Sequence, residues 1–303
     1  MKTIQASYQH TNGLYEFAID IGHMTLAGLS NCPSVVSNKP IVLFLHGFLD
    51  NANSFSRLLS FMNSHSSHYQ YLAIDHAGHG NSSHRSADAH YHLVDYAFDI
   101  HKLLLQLQAK SVVLVGHSLG AIVSSIFAAT QPNNLHGFIC IESCGPLSEN
   151  EDITATQLKA CFESRVKAES PIKQPQSFEQ VVKARCLVSD FSMEDARTIM
   201  ARNIKVQDNG ECEWKTDKRL RTKSTLRMTE SQSINILKNI SCERMVILGE
   251  NGFEKVKKGI EARAEHFNNV PIYTLPGGHH VHFTSEQAVA DSIETYVQKW
   301  LGY

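Results

Sequence analysis

The sequence predicts an α/β fold: a mostly parallel central sheet with helices on both faces and an inserted helical cap. From Pro40 onward, short continuous apolar runs alternate with stretches in which apolar residues recur every three or four positions. The runs are typical of parallel strands buried on both faces, and the stretches are typical of the amphipathic helices that cover them. With 303 residues, 42% of them hydrophobic, the chain can bury one large core and still carry an insertion.

Strands and helices alternate along the chain, which predicts right-handed crossovers. Six segments are predicted to be strands: Ile41–Leu45, Tyr71–Asp75, Val112–Val115, Phe138–Ile141, Met245–Leu248 and the short Ile272–Leu275. Helices are predicted over residues 55–62, 93–107, 121–130, 254–267 and 289–301. The alternating segment Tyr15–Asp20 predicts an antiparallel hairpin at one edge of the sheet.

This strand pattern is interrupted once. Residues 147–238 are richer in charge, contain Pro171 and Pro175, and have the pattern of helices and loops without buried strands. The sequence therefore predicts a core domain made of residues 1–146 and 239–303, and an inserted cap (lid) domain made of residues 147–238.

Composition and charge exclude several kinds of partner. The formal net charge is −2 without long blocks of one sign, so we expect no binding to nucleic acid or to an anionic membrane. The N-terminus lacks the apolar core of a signal peptide, and no stretch reaches the length that spans a bilayer. The seven cysteines are odd in number and scattered. We expect a soluble, cytoplasmic protein with reduced thiols; the oligomeric state is not predicted.

The 17 histidines raise the question of a metal site. Most lie in polar stretches such as 84–92, without a His-Glu-x-x-His spacing or a nearby cluster of carboxylates. We interpret them as solvated loop residues, and predict neither a metal nor an organic cofactor.

The run Gly116-His117-Ser118-Leu119-Gly120 lies between a predicted strand and a predicted helix, which is the context that gives a Gly-x-Ser-x-Gly match its meaning. Glycines two residues either side permit a tight turn that holds the serine strained, with its hydroxyl exposed. The helix that follows directs its first N–H groups toward a developing oxyanion. Ser118 is therefore the candidate nucleophile, with a plain glycine-bounded turn as the alternative.

A serine hydroxyl needs a base to take its proton, and the run Gly277-Gly278-His279-His280 lies in the loop between the last strand and the last helix. The side chains of adjacent histidines diverge, so only one of the two can face Ser118. We favour His279, directly after the glycines, over His280. His282 is interpreted as a packing or hydrogen-bonding residue of the same loop.

The oxyanion hole needs two backbone donors, one after the nucleophile and one from the loop after an earlier strand. Leu119 and Phe48 meet these descriptions, and Gly47 lets the backbone approach a substrate closely. A plain turn at the end of the strand is the alternative for Phe48. Asp75, at the start of a glycine-rich loop, is interpreted as structural rather than catalytic. Arg219 and Arg221 receive no role, because paired arginines usually lie on a solvated face.

Four motifs together resemble those of the α/β-hydrolase superfamily: His46-Gly47-Phe48-Leu49-Asp50-Asn51, Asp75-His76-Ala77-Gly78-His79-Gly80, residues 116–120 and residues 277–280. Within it the chain resembles the serine hydrolase-like proteins, because Trp214-x-x-Asp217-x-Arg219-Leu220-Arg221 and residues 227–232 are similar to the end of their cap. The resemblance extends from Pro40 to the C-terminus, apart from the first two thirds of the cap. It implies an α/β-hydrolase fold and a carboxylesterase-like serine hydrolase.

The acidic member of the triad departs from the family pattern. Many relatives carry an Asp in a Gly-x-x-Asp run after the strand that follows the cap, where this chain has Gly249-Glu250-Asn251-Gly252. Glu142 ends the strand beside the nucleophile strand, where haloalkane dehalogenases and some other relatives place their acid. We favour Glu142, with Glu250 and then Glu254 as alternatives. A structural role for Glu142, accepting backbone N–H bonds, is also open.

Three functions are compatible with these residues. The first is hydrolysis of an ester or related acyl bond of a small molecule by a Ser-His-acid triad. The second is carbon–carbon bond hydrolysis on the same triad, since one fold serves many chemistries. Dehalogenation is disfavoured, because it needs a carboxylate nucleophile and position 118 is Ser. The unusual acid position motivates the third, a non-catalytic ligand-binding protein of the same fold.

Overall fold

A central sheet organises the protein, whose computed structural model describes residues 3–10, 13–63 and 68–302. The strands are β1 (Thr3–Gln5), β2 (Tyr8–Gln9), β3 (Tyr15–Asp20), β4 (Thr25–Ser30), β5 (Ser34–Val36), β6 (Ile41–Leu45), β7 (Gln70–Ile74), β8 (Val112–His117), β9 (Leu135–Ile141), β10 (Ile204–Val206), β11 (Cys212–Trp214), β12 (Glu243–Gly249) and β13 (Ile272–Leu275). Nine of them form one sheet in the order β13-β12-β9-β8-β6-β7-β4-β3-β2. The six strands from β13 to β7 are parallel, and β7, β4, β3 and β2 pair antiparallel at the other edge.

Helices connect the strands. They are α1 (Ser56–Asn63), α2 (Leu93–Leu107), α3 (Leu119–Ala128), α4 (Thr154–Glu169), α5 (Phe178–Leu187), α6 (Met193–Asn203), α7 (Glu230–Lys238), α8 (Glu254–Ala262), α9 (Val281–Thr284) and α10 (Glu286–Leu301). Short 3-10 turns precede α1 at Ala52–Phe55 and follow α8 at Ala264–His266. Within the described residues, none of these helices has both the length and the apolar composition needed to cross a membrane.

The side chains of β6 enter two different cores, because successive residues of a strand point to opposite faces. Ile41, Leu43 and Leu45 pack in the core that also contains the apolar faces of α2 and α3. Val42 and Phe44 pack with the apolar residues of α1 and α10. All five side chains are fully buried. The predicted fold, a mostly parallel sheet with helices on both faces, is therefore confirmed.

Residues 147–238, here called the inserted segment, connect β9 to β12, which are neighbours in the sheet. The segment contains α4 to α7 and the two-stranded pair β10–β11, which does not join the central sheet. The sequence did not predict this pair, because strands of three residues are too short to show an alternating pattern. An apolar core of its own includes Val182, Ile199 and Met200, and Phe283 of α9 contributes to it.

A buried ion network attaches the inserted segment to the edge of the sheet. The guanidinium of Arg202, which is 4% exposed, donates to Asp75 at 2.8 and 2.9 Å and to Glu16 at 2.7 and 2.8 Å. Asp75 also accepts the N–H groups of Ala52 and Asn81, each at 2.8 Å. Burial alone would raise the pKa of Glu16, but the hydrogen bonds and charge of Arg202 lower it. These contacts give Asp75 the structural role favoured by the sequence.

Replacing Arg202 with Met should lower the free energy of unfolding by about 3–5 kcal/mol, because it leaves the buried carboxylate of Asp75 without a counter-charge. Urea unfolding followed by circular dichroism measures the change. The matched control is Arg197→Met, which breaks the exposed pair with Glu179 and should leave the midpoint almost unchanged. Equal losses in the two variants would contradict the assignment of the network as a buried attachment.

Candidate active site

Ser118 occupies a sharp turn between β8 and α3. Its backbone has φ 49° and ψ −110°, a conformation that costs energy for any residue with a side chain. A Cβ atom at Gly116 would lie 2.4 Å from the backbone N of Ala121, and one at Gly120 would lie 1.9 Å from the carbonyl O of Leu45. Both glycines are therefore required by the close approach of backbone in this turn, and Ser118 remains partly exposed.

The two backbone N–H groups predicted for an oxyanion hole lie at the ends of neighbouring strands. Leu119 is the first residue of α3, so its N–H has no acceptor inside the helix. Phe48 lies in the turn that follows β6, which pairs in parallel with β8, and its side chain is 49% exposed. Gly47 directly precedes Phe48, and a Cβ atom there would lie 2.8 Å from Nδ1 of His117, so a side chain at this position would displace the buried imidazole.

The side chain of His279 meets the carboxylate of Glu142, which follows β9. Nδ1 of His279 lies 3.1 Å from Oε2 of Glu142. Glu142 is 2% exposed and adopts φ 55°. Its two oxygens also accept the N–H groups of Gly249 at 2.8 Å and Phe253 at 3.0 Å. The buried carboxylate thus has three donors, and no hydrogen bond within the described residues joins Ser118 to His279.

Gly252 explains why the carboxylate can enter from β9. A Cβ atom at this position would lie 2.1 Å from Oε1 of Glu142 and 2.5 Å from its Oε2. In the Gly-x-x-Asp run that the family resemblance leads us to expect, position 252 would carry the acid, and the glycine here leaves room for the side chain of Glu142. In the sequence, the absence of Asp from the run 249–252 was the signal that the acid comes from another strand.

The alternative acids have other surroundings. Glu250 is exposed, and its backbone N–H donates to Leu275 O at 2.9 Å. Glu254 forms an exposed pair with Lys258 at 3.8 Å. Among the described residues, no hydrogen bond joins either carboxylate to His279. Arg219 is held by Asp217 and by the backbone carbonyls of three residues in the stretch 85–89, so it is tied to its neighbours rather than solvated.

Phe253 was not singled out from the sequence. Its ring stacks on the imidazole of His279, with centroids 3.8 Å apart and an interplanar angle of 14°. Its backbone N–H is one of the donors to Glu142. Phe253 therefore contacts both His279 and Glu142, although 57% of its own surface is exposed to solvent.

His280, whose ring centroid lies 5.2 Å from that of His279, is placed between two carboxylates. Its backbone N–H donates to Oδ2 of Asp190 at 2.9 Å, and its Nδ1 contacts Oδ1 of the same residue. On the other side, Nε2 lies 3.6 Å from Oδ2 of Asp50. Burial opposes a positive charge here, but the contacts with Asp190 and Asp50 raise the pKa of His280 to about 9. Asp50 in turn accepts a hydrogen bond from Arg185 at 2.5 Å.

His117, whose side chain is 1% exposed, lies beside this group. Its Nε2 is 3.0 Å from the carbonyl O of His279, and because a carbonyl can only accept, that nitrogen carries the hydrogen. His282 packs against His117 and Phe55, with ring centroids 4.4 and 5.3 Å apart. This matches the packing role expected of it.

Within the described chain, one group of side chains has the proximity of metal ligands: Asp50, His117 and His280, whose donor atoms lie within 4.8 Å of one another. Arg185 already pairs with Asp50, and Asp190 with His280. These charges compensate one another, so we assign the group no metal.

Curated relatives match most of the chain in sequence. A serine hydrolase-like protein of Dictyostelium discoideum is 28% identical over 295 residues, covering 92% of this chain and 80% of the relative. A serine hydrolase-like protein of Danio rerio is 24% identical over 269 residues, covering 85% of this chain and 81% of the relative. The resemblance to serine hydrolase-like proteins is thereby confirmed.

Solved structures agree with the observed architecture. A hypothetical protein of Pseudomonas aeruginosa PAO1 superposes with a TM-score of 0.83 at 32% identity, covering 93% of this chain and 97% of the other. E-2-(acetamidomethylene)succinate hydrolase has a TM-score of 0.73 at 22% identity, with 96% and 100% covered, and supports the fold alone.

A family model also agrees with this architecture, namely the sharp turn at Ser118, the parallel sheet and the helices on its two faces. The model described as "alpha/beta hydrolase fold" matches residues 40–199, which is more than half of the chain. The chain therefore belongs to the α/β-hydrolase fold family.

Proposed function

We propose that this hydrolase is a carboxylesterase-like serine hydrolase, which cleaves an ester or related acyl bond of a small molecule through Ser118, His279 and Glu142. The observation that carries the proposal is the contact between His279 and the buried Glu142 on the loops beside the strained Ser118. A carboxylate that binds Nδ1–H of a histidine leaves Nε2 free to accept a proton, which is the arrangement a serine nucleophile requires.

In the proposed reaction the hydroxyl oxygen of Ser118 attacks the substrate carbonyl carbon while His279 takes its proton. The N–H groups of Phe48 and Leu119 stabilise the resulting oxyanion. His279 then protonates the leaving group, which leaves an acyl group on Ser118. Water, deprotonated by His279, releases the acid and restores the serine. Glu142 keeps the imidazole oriented and stabilises its positive charge in both steps.

We also propose that residues 147–238 act as a cap over a core made of residues 1–146 and 239–303. The segment follows the strand of Glu142, and its side chains reach the loops of Asp50 and His280. In this position it would contribute to the pocket that selects the substrate.

Two alternatives remain distinguishable by experiment. Carbon–carbon bond hydrolysis would use the same triad, and a panel of esters against β-diketones separates the two. The non-catalytic alternative was based on the absence of Asp from the run 249–252. The contact between Glu142 and His279 weakens this argument, because it offers a different carboxylate for the triad.

Ser118→Ala should lower kcat on short p-nitrophenyl esters by about 10⁴-fold or more, since no other group takes over the attack. It should also abolish labelling by a fluorophosphonate probe. Ser125→Ala, on the same helix α3, is the control, and it should keep both activities. Unchanged ester turnover in Ser118→Ala, or a wild-type protein that the probe does not label, would contradict the proposal.

Glu142→Gln should lower kcat by about 10²–10⁴-fold, because the imidazole loses the charge that orients it and stabilises its protonated form. Glu250→Gln is the matched control and should leave kcat unchanged. The double variant Glu142→Gly/Gly252→Asp places the acid where relatives carry it and should recover part of the loss. If Glu250→Gln caused the large loss and Glu142→Gln did not, the acid would be reassigned to Glu250.

A further inference from the structure

The last turn of α5 and the residues that follow it contact two loops of the candidate active site at once. We call residues 185–191 the contact loop. Arg185 at one end binds Asp50, which follows Phe48 by two residues. Asp190 near the other end binds His280, directly after His279. The ring of Phe191, the last residue of this loop, contacts both sides. Its centroid lies 4.7 Å from that of His280 and 5.2 Å from the guanidinium carbon of Arg185.

Asp190 binds the residue that follows His279 and lies against the residue that precedes it. Its carboxylate accepts the backbone N–H of His280 at 2.9 Å and also contacts the ring of His280. On the preceding residue, a Cβ atom at Gly278 would lie 2.1 Å from Oδ2 of Asp190, so the carboxylate lies directly against this glycine. The backbone carbonyl of His279 itself is held by Nε2 of His117 at 3.0 Å. The position of the His279 backbone is thus set largely by contacts outside its own loop.

The charges of this group alternate in sign. Asp190 contacts His280, His280 faces Asp50, and Asp50 binds Arg185. The side chains of Asp50 and His280 are 1% and 9% exposed, so neither can exchange its partner for water at little cost. Two of the four charges belong to the inserted segment, and two belong to the loops that carry Phe48 and His279.

We propose that Asp190 is a positioning residue for His279. Through Asp190, the packing of the inserted segment against the core determines whether the imidazole of His279 contacts the carboxylate of Glu142. The inference rests on the proposed function, in which His279 is the base. Asp190 contacts neither Ser118 nor Glu142; it acts through Gly278 and His280. Loss of its charge leaves the loop free to shift, and a displacement of about 1 Å in a catalytic group is enough to cost about 10²-fold in rate.

The test is the isosteric variant Asp190→Asn in the full chain. We expect kcat on a p-nitrophenyl ester to fall about 10- to 100-fold, with KM changed less than about 3-fold, because in this proposal Asp190 acts on the position of His279 and not on the substrate. The rate of fluorophosphonate labelling of Ser118 should fall in parallel. In the proton NMR spectrum, the downfield resonance of the His279 Nδ1–H should shift or broaden.

Arg57→Gln is the matched control. Arg57 of α1 also joins the core to the inserted segment, through Asp195 at 2.9 Å, and it pairs within the core with Glu286 at 2.7 Å. Among the residues that the structure describes, it has no ion pair with any in the range 185–191. It should leave kcat and the His279 resonance unchanged. If Arg57→Gln reduced kcat as much as Asp190→Asn, the loss would reflect general loosening of the segment and the proposal would be overturned.

A second pair of variants separates action through His280 from a direct effect. In a His280→Gln background, the added Asp190→Asn change should cost much less than it does in the wild type, because the two residues act through one contact. Fully independent losses would overturn the proposal, as would an Asp190→Asn protein with unchanged kcat and an unchanged resonance.

The outcomes for this inference differ from those for the proposed function. If wild-type protein neither hydrolyses esters nor reacts with the probe, the proposed function fails. The downfield resonance still reports the contact between His279 and Glu142 without any turnover. Its response to Asp190→Asn therefore tests the positioning role independently.

Discussion

The buried carboxylate of Glu142 constrains the geometry of everything around it. Moving a carboxylate out of water costs several kcal/mol unless hydrogen bonds replace its hydration. Here the N–H groups of Gly249 and Phe253 and the imidazole of His279 supply those bonds. The left-handed backbone at Glu142 aims its side chain at these donors, and the absence of a side chain at Gly252 leaves the space it fills.

The carboxyl ends of the parallel strands bring these groups together from distant parts of the sequence. The loops after β6, β8, β9, β12 and β13 all open at the same edge, as in other open α/β sheets. Two of these loops meet at His117, the last residue of β8: its ring contacts the backbone of His279 and lies 3.9 Å from the carboxylate of Asp50. The inserted segment completes this edge, since Arg185 and Asp190 neutralise charges that the core loops would otherwise bury alone.

The sheet and its covering helices were predictable because burial on both faces leaves a continuous apolar run, which sequence periodicity detects. The bounds were less exact: α3 begins at Leu119 rather than Ala121, since the helix follows the strained serine directly. The contact of His279 with Glu142 agrees with the order of preference among the acids. Asp190 and Arg185 were missed because their partners lie 90 and 135 residues away, and local patterns carry no trace of such contacts.

The position of Glu142 directly after β9 also affects how the candidate site tolerates insertions and deletions in the inserted segment. β8 and β9 are paired in register, with His117 opposite Ile141, so the residues that follow each of them, Ser118 and Glu142, keep their spacing through sheet hydrogen bonds. An acid carried after β12 would instead lie two strands away from Ser118, because β12 pairs with β9 and not with β8. Insertions or deletions in residues 147–238 can therefore vary the length of that segment while Ser118 and Glu142 keep their spacing, whereas the donors Gly249 and Phe253 and the loop of His279 follow the segment and must return to Glu142.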